Sequence, residues 1–271
     1  MANPSNKRRP RSTTRALLIT ALIVIGFILL LMYLKRRNLV SDPEIVGFNY
    51  LPAVHNGFLI QHQHYALSYV EEHEQAEWVA YELTKAEVLS NIADRTDDFR
   101  EDPLILTGSA SLGDYRRSGY DRGHLAPAGD MGFSEVAMSE SFFMSNMSPQ
   151  NRKFNRGVWR ELEDDVRDWA VANGNLYVVT GPVFGNNPEE IGENGVSVPD
   201  YYYKVLLDYQ APEIKAIGFL LPNQDISESP QDFVESIDDI EAYTGIDFFP
   251  ELPDEIEEEL ESSTTLNEWF N

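Results

Sequence analysis

The chain has five histidines, His55, His62, His64, His73 and His124, and no cysteine. Groups able to exchange a proton near neutral pH are therefore few, and no thiolate is present to act as nucleophile or metal ligand. His62 and His64 form an H-x-H pair that could hold a metal from one strand face, but no partner of matching spacing follows. His55 and His73 lie among polar residues, and all four read as structural or solvated. His124 differs. It ends the run Tyr120-Asp121-Arg122-Gly123-His124, which places a carboxylate, a guanidinium and an imidazole within four residues. A neutral imidazole can take a proton from water, because its unperturbed pKa is about 6.5. A neighbouring Arg122 can address two oxygens of one phosphate at once.

About twenty residues further on comes Phe143-Met144-Ser145-Asn146-Met147-Ser148-Pro149-Gln150-Asn151, then Phe154-Asn155-Arg156-Gly157-Val158-Trp159 and Glu163. Asn is a poor helix-interior residue and a good cap or turn residue, so Asn146, Asn151 and Asn155 are each open to a capping or a functional role. Charge narrows the chemistry. Arg116, Arg117, Arg122, Arg152, Lys153, Arg156 and Arg160 face only Asp121, Asp130, Glu135 and Glu140 between positions 116 and 160, a net of +3. Elsewhere the chain is acidic. No Asp or Glu precedes Asp42, eight of the 21 basic residues lie before Asn38, and the 13 remaining basic residues meet 45 acidic ones, a net of −32. A generically basic nucleic-acid coat protein is excluded, while a polyanion could bind at the one basic window, since phosphate contacts supply most non-specific affinity.

The elements that must position these residues follow from periodicity. His64 to Val70 and Glu77 to Leu83 alternate as strands, and Ile92 to Gly119 reads as long loops. Val158, Trp159, Leu162, Val166, Trp169 and Ala170 recur at spacings of three and four, which predicts one helix over 155–172 ended by Asn173-Gly174. Leu176 to Thr180, Tyr201 to Leu207 and Ile214 to Leu221 read as further strands, and 231–243 as a short helix. Strands on both sides of a central helix, without regular βαβ alternation, predict an α+β sheet protein. At the N-terminus, a basic segment (1–15) precedes 19 uncharged residues (16–34), about 28 Å of helix at 1.5 Å per residue, enough to cross a bilayer. Lys35-Arg36-Arg37 follows, in place of a small-residue cleavage site, so the stretch is expected to be a single-pass anchor, with the rest of the chain outside the cytosol. Residues 35–57 read as a linker, 58–250 as one domain, and 251–271, with eight acidic residues, as a solvated tail.

At Asp121-Arg122-Gly123-His124, Ser145-Asn146 with Pro149-Gln150, Asn155 with Trp159, Leu162 and Glu163, and Thr180-Gly181-Pro182, the chain resembles the DNA/RNA non-specific endonuclease family. The similarity spans roughly 62–250. It implies a ββα-metal (His-Me finger) core within a mainly antiparallel sheet flanked by helices, one Mg²⁺ or Mn²⁺, and DNA and RNA as substrates. By the same resemblance His124 is the general base, Asn155 the direct metal ligand, Arg122 a phosphate-contacting residue, and Asn146, Asp121 and Glu163 residues that complete or support the site. A further phosphate-binding Arg lies upstream of the motif in the family. Arg95 is the expected equivalent, with Arg100, Arg116 and Arg117 as competitors, and Arg152 and Arg156 are further substrate-binding candidates. On one ideal helix Asn155 and Glu163 would be about 12 Å apart, so either Asn155 sits at an irregular helix start or Glu163 acts through a water on the ion. Two other readings stand beside hydrolysis of nucleic acid to 5′-phosphate products. One is a catalytically idle anchored scaffold, the other a phosphodiesterase for small substrates. A bacterial periplasmic setting is the first expectation for the domain, the mitochondrial intermembrane space the second.

Overall fold

The computed structural model describes residues 48–53, 56–210 and 214–270. The expected anchor over 16–34 and His55 lie outside these residues. Among the described residues no helix is long and apolar enough to cross a membrane. The chain from Gly47 to Asn271 forms one compact unit.

In chain order the elements are β1 (Phe58–Gln61), β2 (Ala66–Val70), β3 (Gln75–Thr84), α1 (Lys85–Leu89), α2 (Leu112–Tyr115), β4 (Asp121–His124), α3 (Glu135–Glu140), β5 (Met147–Gln150), α4 (Arg152–Arg156), α5 (Val158–Asn173), β6 (Asn175–Val183), β7 (Glu190–Ile191), β8 (Val196–Ser197), β9 (Tyr201–Asp208), β10 (Lys215–Pro222), β11 (Val234–Glu235), α6 (Ile237–Thr244) and α7 (Asp254–Glu261). A seven-stranded sheet runs β1-β2-β3-β6-β9-β10-β11, every pair antiparallel. β4 and β5 form a separate hairpin. The α+β architecture with a mainly antiparallel sheet is thus the one the sequence predicts. The central strands β3, β6 and β9 are buried along most of their length, which is why the segments of β6 and β9 read as nearly continuous apolar runs.

α5 lays Val158, Trp159, Leu162, Val166, Trp169 and Ala170 against the sheet. It is shorter than expected. Gly157 (φ −108°, ψ −114°) separates α4 from α5, so 155–172 is not one helix. A Cβ at Gly157 would stand 2.6 Å from the Lys153 carbonyl oxygen, and the break therefore needs glycine. The region 231–243 also divides, into a 3₁₀ turn (Pro230–Phe233), β11 and α6.

Both expected boundaries of the domain move outward. Phe48 stacks on Tyr209 and Tyr50 on Tyr177, each at 4.7 Å between ring centroids. The last part of the expected linker is therefore docked on the sheet. The tail is packed, not solvated: α7 buries Ile256 and Leu260, and Trp269 meets Trp169 of α5 edge to face at 5.2 Å. The Trp169 indole N–H donates to the Trp269 carbonyl at 2.8 Å. Apolar residues at helical spacing within the acidic run, Ile256 and Leu260, outweigh the net charge of the segment.

Candidate active site

The hairpin β4–β5 leads directly into α4, and these three elements carry the motif residues. Register pairs His124 with Met147, Arg122 with Pro149 and Asp121 with Gln150. Gly123 lies over the buried Gln150 side chain, where any Cβ would meet Gln150 Cδ at 2.0 Å; the glycine of the motif is thus a packing requirement. Ser148 of β5 bonds Tyr202 of the main sheet at 2.6 Å and donates to Gln75 Oε1 at 2.5 Å. Asn223 accepts from the Asn151 N–H at 2.8 Å and donates to the Pro149 carbonyl at 3.0 Å. Asn151 in turn caps α4 through Lys153 N–H at 2.9 Å. The hairpin and the following helix are therefore fixed to the sheet by buried polar contacts, which cost desolvation and hold one geometry.

The His124 side chain packs against two phenyl rings that also meet each other, Phe99 at 5.8 Å and Phe142 at 5.0 Å, with 4.9 Å between the two phenyls. Each ring is covered by a guanidinium, Arg122 over Phe99 at 4.1 Å and Arg95 over Phe142 at 5.0 Å. His124 is only 9% exposed, and its Nε2 is buried with no hydrogen-bond partner. Burial, then the charges of Arg95 and Arg122, push its pKa down to about 3. The imidazole is consequently neutral throughout the physiological range. Asn146 secures the chain just past it, accepting from Ala126 N–H at 2.9 Å and donating to the carbonyls of Ala126 and Ser141 at 3.0 and 2.8 Å.

Beside this ring cluster opens a cleft of about 610 Å³ that contains five arginines, Arg95, Arg116, Arg122, Arg152 and Arg156, against Asp97 and Asp121. Asn155 also lines it. Asp121 is the hub: it takes both Nε and Nη2 of Arg156 at 2.8 and 3.0 Å, the Asn155 Nδ2 at 3.2 Å, and lies 3.6 Å from Arg152 Nε. Of the upstream candidates, Arg95 and Arg116 reach the cleft. Arg100 turns away to Asp98 and Ser139, and Arg117 is not among the lining residues.

A model of the DNA/RNA non-specific endonuclease family matches residues 49–255. The chain belongs to this family. It is 35% identical over 204 residues to the mitochondrial nuclease EXOG of Danio rerio, covering 69% of the chain and 60% of that relative. It is likewise 35% identical to mitochondrial endonuclease G of Homo sapiens, over 69% of the chain and 68% of the relative. Nuclease C1 of Cunninghamella echinulata is also 35% identical, over 71% of the chain and 83% of that protein. The chain spans less than two thirds of the EXOG relatives it matches. Among solved structures, EndoG in the EndoG/EndoGI complex superposes with a TM-score of 0.71 at 33% identity, covering 79% of this chain and 95% of that one.

In this family member Glu163 is not a cleft-lining residue. It sits half-buried on α5 near Lys204, Asp130 and Arg167. Burial pushes the Glu163 carboxyl up and the Lys204 ammonium down, each opposed by the other's charge. Lys204 is fully buried, donates to Thr180 Oγ1 at 2.7 Å and lies 4.9 Å from the Trp159 ring centre. Asp130 accepts from Tyr81 OH and Arg167 at 2.7 Å each. A single lysine inside the apolar run Tyr201 to Leu207 was the signal for this network, whereas Phe99 and Phe142 carry no local mark of their approach to His124. The other described histidines are structural: His62 bonds buried Asp102 at 2.9 Å, His64 meets Phe133, and His73 stacks on Phe184 at 3.9 Å.

Proposed function

We propose that this chain is a divalent-metal-dependent, sugar-non-specific endonuclease that hydrolyses phosphodiester bonds of DNA and RNA to 5′-phosphate products. The carrying observation is one cleft lined by five arginines and the oxygen donors Asp121 and Asn155, with His124 buried behind its Phe99 wall. Net charge supports a polyanionic substrate, because this basic concavity lies in a chain of net charge −24.

The donor chemistry fits a hard cation. With Nδ2 given to Asp121, Asn155 offers Oδ1, and the Asp121 carboxylate lies beside it. Mg²⁺ and Mn²⁺ take oxygen ligands, and Mg²⁺ keeps several waters when few protein groups bind it. When bound, such an ion would supply charge neutralisation at the scissile phosphate and its leaving 3′-oxygen. The protein's own groups do the rest. His124 takes a proton from the attacking water. Since Nε2 is shut away without a partner, Nδ1 is the atom assigned to that transfer. Arg122 and Arg95 hold phosphate oxygens, and the Phe142 and Phe99 rings beneath them fix both guanidiniums. Asp121 orients Asn155 and Arg156, Asn146 positions the His124 strand end, and Arg152 adds positive charge at the rim. Glu163 acts from behind, through the Lys204 and Asp130 network.

The N-terminal stretch 16–34 is proposed as a single-pass anchor that leaves this domain outside the cytosol. The mitochondrial names of the EXOG and endonuclease G relatives favour the second expectation, a mitochondrial setting, over a bacterial periplasm. The activity is tested by incubating the full chain with supercoiled plasmid and with RNA in Mg²⁺, Mn²⁺ or EDTA. Cleavage of both in either metal and of neither in EDTA is expected. Cleavage of a model diester but not of plasmid would favour a small-substrate phosphodiesterase, and inertness toward all three would favour a scaffold.

A further inference from the structure

Asp238 and Glu241 of α6 and Glu261 at the end of α7 bring one carboxylate oxygen each to within 4.8 Å of the others. Such a convergence is costly for three anions unless something positive lies between them. The charged groups that act most strongly on Glu261 among the described residues are carboxylates, Glu241, Glu257, Asp238 and Asp247. Glu261 is also only 8% exposed, and its Oε1 is buried without a hydrogen-bond partner. A carboxylate that is buried among like charges and keeps an oxygen without a hydrogen-bond partner offers the donor chemistry a hard cation takes.

We propose that Asp238, Glu241 and Glu261 form a divalent-cation site of the calcium type, separate from the cleft, that clips α7 to α6. Ca²⁺ binds oxygen at about 2.3–2.6 Å, so two ligands on opposite sides of it stand about 4.8 Å apart, and it accepts mono- or bidentate carboxylates. Three side chains with open oxygens suit this. Glu241 keeps one oxygen on the Phe248 N–H at 2.8 Å, which orients the group while leaving the other free to ligate. The consequence reaches α5: α7 is followed by Trp269, whose carbonyl accepts from the Trp169 indole. A cation at α6–α7 would thus fasten the C-terminal segment that covers one end of the site-bearing helix.

The test is a thermal melt of the metal-stripped full chain in EDTA and in a Ca²⁺ titration, for the parent, Glu261→Gln, Asp238→Asn and Asn155→Ala. Ca²⁺ should raise the parent Tm saturably, by roughly 5 °C or more at a hundredfold excess over Kd. Glu261→Gln removes a ligand and a buried like charge together. It should melt no lower than the parent in EDTA yet bind Ca²⁺ at least tenfold more weakly. Asp238→Asn, at an exposed position, should show the same loss and stands in if the Gln variant does not fold. Asn155→Ala should keep the full Ca²⁺ shift, which separates this site from the cleft and makes the result independent of the nuclease reading. A parent Tm indifferent to Ca²⁺ would overturn the proposal. So would equal shifts in Glu261→Gln and Asp238→Asn, or a shift lost in Asn155→Ala.

Discussion

His124 is set by its neighbours more than by its own chemistry. Buried against Phe99 and Phe142, with the charges of Arg95 and Arg122 nearby, it is held far below the ordinary imidazole value, to about 3. A group with so low a pKa stays neutral as pH falls from 8 to 5, so kcat/KM should have no acid limb near pH 6.5. Arg95→Gln removes one of the charges that disfavour protonation and should move the His124 limb upward, toward but not past the ordinary value, because burial remains the larger cause. A pH profile of both proteins checks this, and a parent limb at 6.5 would contradict it. Asn155→Ala should raise the Mg²⁺ concentration for half-maximal rate about tenfold or more and lower the rate at saturation, as a metal titration will show. The polar residues of this site were legible because they fall in short runs, Asp121 to His124 and Asn146 to Asn155. The aromatic residues that tune His124 were not. Phe99 lies in a long loop and Phe142 before the β5 turn, and only the tertiary fold brings them to one ring.

At the scale of elements, the hairpin and α4 present the motif, and Gly157 decides where α4 stops. Helical spacing of Val158, Trp159, Leu162 and Val166 predicted α5 well, since one buried stripe suffices to show a period. The same stripe masked the break, because a glycine inside a periodic run leaves the pattern intact. Gly157→Ala should force its Cβ against the Lys153 carbonyl, 2.6 Å away. We expect a loss of about 1–3 kcal/mol, read as a lower Tm, together with a raised Mg²⁺ requirement, because Asn155 lies on the turn that must shift. A variant with unchanged Tm and unchanged metal dependence would show that the break does not position Asn155. The C-terminal segment was misread for a different reason. Its charge density is that of a solvated tail, yet Ile256, Leu260 and Trp269 bury into the domain, and a few apolar anchors at the right spacing outweigh many exposed carboxylates.

For the whole molecule, the basic cleft is a local attraction inside a repulsive far field, and the two respond differently to salt. Rising ionic strength first screens long-range repulsion of the substrate, then weakens the phosphate contacts. Activity on subsaturating DNA at fixed Mg²⁺ should therefore pass through a maximum as monovalent salt increases. Arg116→Gln should flatten the falling limb and leave the rising one. Arg116 serves better than Arg152 or Arg156, whose ties to Asp121 would confound the reading. A monotonic fall in the parent would mean that the acidic surface is too far from the cleft to matter. The central claim, that this cleft hydrolyses nucleic acid with His124 as base, is tested most directly by comparing the parent and His124→Ala on supercoiled plasmid and RNA in Mg²⁺, with circular dichroism confirming that both fold. The account predicts cleavage by the parent and a loss of 10²- to 10⁴-fold in the variant; parental rates from a folded His124→Ala would contradict it.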